Sequence, residues 1–99
     1  MKKRFVVLVN DQNQEQEKSF IAYLNRNNCG WWHWLENSWL IVDLSGILTP
    51  DIIRDEVNKI SPNSYSLVVE VPMNKNWSGF GPNSENSNMF KWLHESWDQ

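Results

Sequence analysis

The chain has 99 residues, enough for one domain around one main core. Nine Lys and Arg stand against twelve Asp and Glu, a formal net charge of −3, so the basic footprint needed to wrap DNA or RNA is missing. Hydrophobic residues make up 40% of the chain, which excludes a disordered polymer, and the anomaly is seven tryptophans.

The elements follow in chain order. The basic start, Met1-Lys2-Lys3-Arg4, precedes only five apolar residues, too short a run for a secretory signal. Those residues, 5–9, are continuously apolar and read as a strand buried on both faces. A helix is expected over 14–27, with Glu15 and Glu17 at its positive end, Arg26 near its negative end, and Phe20, Ile21 and Leu24 as its buried stripe. Asn27-Asn28 and Gly30 tolerate left-handed backbone and stop it.

Residues 30–35 form a second strand dense in aromatics, Glu36-Asn37-Ser38 a turn, and 39–43 a third strand, so the pair is a hairpin. Thr49 is a good N-cap for a second helix, with Pro50 and Asp51 in its first turn. Leu48 is placed to staple onto Ile53; Ile53, Val57 and Ile60 line the buried side until Ser61-Pro62. Residues 65–71 are a fourth strand, stopped by Pro72. The order strand, helix, strand, strand, helix, strand is the α+β, ferredoxin-like βαββαβ arrangement. Right-handed crossovers then put both helices on one face of a four-stranded antiparallel sheet, with the first and third strands central. This domain is expected over 1–72. A C-terminal extension, 73–99, would pack on it through a loop at 76–82 and a helix near 88–97, where Met89, Leu93 and Trp97 form one stripe.

Gly30-Trp31-Trp32-His33, Leu35, Trp39-Leu40-Ile41-Val42 and Ile53-Arg54-Asp55-Glu56 resemble a group of small bacterial proteins labelled the SinR family. The resemblance extends to Val9-Asn10-Asp11 and Trp77-Ser78-Gly79-Phe80 and covers most of residues 5–80. In topology such proteins are similar to small CRISPR-associated ferredoxin-fold endonucleases, which are homodimers. That likeness implies a homodimer here and puts Asp11 at the position of an aspartate proposed to bind metal at the dimer two-fold.

Three function classes remain open. The leading expectation is a non-enzymatic binding protein, homodimeric, in a bacterial defence or counter-defence setting. It would hold a nucleotide-like ligand or a protein partner on an aromatic surface of Trp31, His33, Trp34, Trp39, Trp77 and Phe80. Strand alternation puts Trp32 and Trp34 on one face and Trp31 and His33 on the other, so one set enters the core and the other lies on the open face or at an edge. The second class is a metal-dependent nuclease or phosphodiesterase with Asp11 as its catalytic carboxylate. The third is a purely structural dimer or protein inhibitor. Cys29 is the single cysteine, which excludes an intramolecular disulfide; with only His33 and His94 beside it, no zinc site or cofactor is expected. Gly79 and Gly81 would let backbone approach a ligand or turn the chain so that its rings anchor the extension. Low basicity argues against a long polynucleotide. No stretch approaches the roughly 20 apolar residues of a membrane span, so a cytoplasmic protein without a membrane partner is expected.

Overall fold

The computed structural model describes residues 1–72 and 77–98. The expected extension is therefore seen from Trp77 to Asp98, and its residues 73–76 and Gln99 lie outside the described residues. Strand β1 (Lys3–Val9) is followed by helix α1 (Gln14–Arg26), β2 (Cys29–Leu35), β3 (Ser38–Asp43), α2 (Pro50–Ile60) and β4 (Ser66–Val71). The four strands form one antiparallel sheet in the order β2-β3-β1-β4, with β1 and β3 inside.

Local chemistry sets the helix ends. Asn13 caps α1 in a reciprocal box: Gln16 N–H donates to Asn13 Oδ1 at 2.8 Å, and Asn13 N–H donates to Gln16 Oε1 at 2.9 Å. Beyond Arg26, Asn28 takes a left-handed φ of 59° and turns the chain into β2. Thr49 caps α2 through Ile52 N–H, Pro50 opens it, and Leu48 and Ile53 are both buried in the same core. The buried stripe of α1 is Phe20, Tyr23 and Leu24, with Ile21 only partly covered; the stripe follows the i, i+3, i+4 spacing that a 3.6-residue period requires.

Both helices pack on one face of the sheet. Phe5, Val7 and Val9 of β1 and Trp39 and Ile41 of β3 meet Phe20, Leu24, Ile53 and Val57 there. Each large side chain so buried contributes roughly 1.5–3 kcal/mol. On the opposite face Trp32 and Val42 form a second core with Met89, Leu93 and Trp97 of the C-terminal segment. That segment holds an isolated bridge between Asn83 and Asn88, then a π-helical turn, Leu93–Trp97, closed by Asp98 N–H donating to Leu93 O at 2.9 Å. The stripe of Met89, Leu93 and Trp97 is what it buries.

Hydrogen bonds and a ring contact tie this segment down. Trp32 Nε1–H donates to Met89 O at 2.7 Å, and Lys2 Nζ to Ser96 O at 3.3 Å. The Arg4 guanidinium donates to Trp97 O at 3.1 Å and lies 4.6 Å from the centre of the Trp97 ring. Burial pulls the Arg4 pKa down, against the opposing field of the Asp98 carboxylate.

Two expectations are corrected here. β1 is buried on both faces only at its beginning, because Leu8 is 41% exposed and Val6 is half-buried. The strict alternation of β2 also fails. Trp32 pairs with Leu40 and Leu35 with Ser38, so His33 and Trp34 together stand opposite the single Trp39. This bulge shifts the alternation by one residue, and Leu35, not Trp34, continues the face of Trp32.

Candidate functional site

The aromatic residues expected to form one surface are divided by the sheet. Trp31, His33 and Trp39 lie on the helix side. Trp39 is completely buried, edge-on to Phe20 at 5.0 Å, with its indole N–H donating to Gln12 Oε1 at 3.1 Å. His33 lies flat on Trp39, ring centres 3.8 Å apart and planes 1° from parallel. Its Nδ1 is 2.8 Å from Ser38 O and its Nε2 is 3.0 Å from Glu17 Oε2. Nδ1 thus holds the ring within the hairpin, and Nε2 joins the hairpin to α1. Trp31 leans on Trp39 at 5.7 Å and packs against the first core. Only Trp34, 40% exposed at the bulge, offers a substantial ring to solvent from this hairpin.

Trp77 and Phe80 lie on the other side of the sheet, with the C-terminal segment. Trp77 Nε1–H donates to Asp98 Oδ1 at 3.0 Å, and its ring runs parallel to Phe90 and tilted to His94. Trp77 therefore anchors the segment. Gly81 is in close backbone approach: a Cβ there would sit 2.1 Å from Met89 Sδ. Phe80, by contrast, is 98% exposed.

The remaining candidates stand apart from these. Asp11 is exposed at the end of β1, in left-handed backbone with φ 54°, and its carbonyl accepts from the Ser64 hydroxyl at 3.4 Å. The N-cap of α1 is Asn13. Among the described residues no group of three His, Cys, Asp or Glu is placed to hold a metal ion. Cys29 is buried, and burial, then the Asp43 carboxylate, pushes its thiol up to about 12. Such a thiol is no nucleophile near neutral pH.

One surface was not legible in advance. The C-terminal segment covers the second sheet face only toward Arg4, Val42 and Val71, and the face continues past it. Leu8 of β1, Leu35 of β2, and Leu67 and Val69 of β4 share that face and remain exposed. At the border an apolar cleft of about 360 Å³ opens between sheet and segment, with Val6, Leu40, Trp32 and Met89 in its lining and Phe80 on its rim. A second hollow of about 390 Å³ adjoins it, between Leu8, Leu67, Tyr65 and Asn37. None of the described residues lining either hollow carries a charge. The available signal was one of proportion: the stripe of Met89, Leu93 and Trp97 is too small to cover four strands.

A third, open bowl of about 1120 Å³ lies outside the segment, between Trp77, Phe90, Lys91, His94, Asn83 and Asn88. Among the described residues no helix is long and apolar enough to cross a membrane. No family model matches the chain, and neither the curated proteins nor the solved structures contain a match.

Proposed function

We propose that the protein is a small non-enzymatic binding protein that associates through the uncovered half of its sheet, with a second copy of itself as partner. The absence of charge among the described residues of the two adjoining hollows carries this reading. A nucleotide docked there would bring phosphates to a wall with no cation among its described residues, whereas an apolar protein surface loses no ion hydration on meeting it. Order of elements, antiparallel pairing and the inner position of β1 and β3 support a ferredoxin-like assignment for the core.

Sedimentation velocity over a concentration series tests the proposal. Reversible dimers are expected, and Leu67→Lys, a charge placed on a side chain 57% exposed in the monomer, should weaken them at least tenfold. A chain that stays monomeric at every concentration, or a dimer indifferent to Leu67→Lys, overturns the reading. A second reading places a ligand in the outer bowl, where Trp77 and Phe90 stand with Lys91 and His94, and also with the carboxylates of Glu95 and Asp98. A saturable change of tryptophan fluorescence with nucleoside triphosphates, lost in Lys91→Ala, would move the ligand site there.

A further inference from the structure

We infer that Phe80 of each copy fills the apolar cleft of the other, an inference that rests on the self-association proposed above. Phe80 is 98% exposed, with its whole ring in water beside an apolar cleft. The loop that carries it is held from behind: the backbone at Gly79 approaches the Phe90 ring and that at Gly81 approaches Met89, both side chains of the C-terminal segment. The backbone on either side of the ring is therefore supported from behind, which lowers the share of the ordering cost that the loop contributes on docking; the ring's own rotamers are fixed only when it docks.

The receiving site lies beside it. The cleft of about 360 Å³ has Val6, Leu40, Trp32 and Leu93 in its lining. Benzene occupies an apolar cavity of about 150 Å³, so a phenylalanine ring enters with room for its backbone to approach. Knob and hollow share one face of one molecule. A two-fold axis between them lets both rings dock at once, each copy giving the residue the other receives.

Area and charge point to the same occupant. Phe80 and Tyr65 are 98% and 85% exposed, and Leu8, Leu35, Leu67 and Val69 between 41% and 57%. Together these six residues present several hundred Å² of largely apolar surface, comparable to the roughly 800 Å² that one partner contributes to a standard interface. Each copy carries a net charge of −3, yet none of it falls on the described lining of the two hollows. Two copies therefore meet there without like charges in the contact.

The test uses the full chain, with sedimentation equilibrium for the dimer constant and thermal melting at low concentration for the fold. Phe80→Ala should raise the dimer Kd at least tenfold, Phe80→Leu should raise it less, and neither should shift the melting of the dilute monomer, since the ring is exposed in it. Dimers weakened by Leu67→Lys but untouched by Phe80→Ala would overturn the exchange of Phe80 and leave the sheet-face association standing. Dimers untouched by either substitution, or a chain monomeric throughout, would overturn both.

Discussion

One face of the sheet is finished at one end and unfinished at the other. Toward Arg4 and Val42, the rings of Trp97 and Trp32 and the side chains of Leu93 and Met89 close over the strands, and Arg4 Nη1 and Trp32 Nε1 donate to carbonyls of the segment. Toward Leu8 and Leu67 the same strands, in the same register, leave their apolar side chains in water. Both ends carry apolar strand side chains, and the covered end adds Arg4, which holds Trp97, and Gly30, which lies against Trp92, so the difference in exposure follows the reach of the C-terminal segment. A side chain on this face is therefore structural or available according to where that segment stops.

Substitutions at the two ends should separate these roles. The largest effect is expected at the covered end. Trp97→Ala removes a buried indole and the ring beneath the Arg4 guanidinium, and should cost about 3–5 kcal/mol of stability, read from urea unfolding midpoints. A loss below about 1 kcal/mol would mean that the segment contributes little to the fold, and the contrast between the ends would fail.

A middle effect is expected at Asp43, which closes β3 beneath the helices at the same end of the sheet. It is fully buried; Oδ2 accepts from Leu48 N–H at 2.8 Å, and Oδ1 from the Ser45 hydroxyl and N–H at 2.7 and 3.1 Å. Burial alone would push this carboxyl up, but the donors of Leu48, Ser45 and Gly46 outweigh it and hold it below the usual carboxylate range. A pKa depressed by folding contributes stability that is present above the unfolded value, about 4, and is lost as pH falls through the folded value. Asp43→Asn should cost about 1–3 kcal/mol at neutral pH, and the cost should shrink on acidification below about pH 4. Thermal melts of both proteins across that range check the sign.

The smallest stability effect belongs to the uncovered end. Leu67→Lys should change the melting of the dilute monomer by no more than about 0.5 kcal/mol while weakening self-association. If it unfolds the monomer instead, the open half is part of the core and the comparison collapses.

Much of this architecture was legible in the residues themselves. Thr49-Pro50, the apolar periodicities and the short turn at Glu36-Asn37 act within a few residues of one another, so α2 and the β2–β3 hairpin lie within a residue or two of expectation. The capping box of Asn13 and Gln16 is equally local. The alternation of Trp31 and His33 against Trp32 was legible as well. Which set met the helices was not, nor was the bulge opposite Trp39, which arises in the pairing of two strands and gives Leu35, not Trp34, the face of Trp32.

What the sequence determined by itself is the α+β order of elements, their caps, the stripe of the C-terminal segment and the lack of a basic footprint. These follow from neighbours in the chain and from composition. Only the tertiary structure decided which half of the second sheet face is covered and that Phe80 stands free beside an apolar cleft. Burial belongs to a surface and whatever is laid over it, and here the covering comes from residues as far as 93 positions away along the chain.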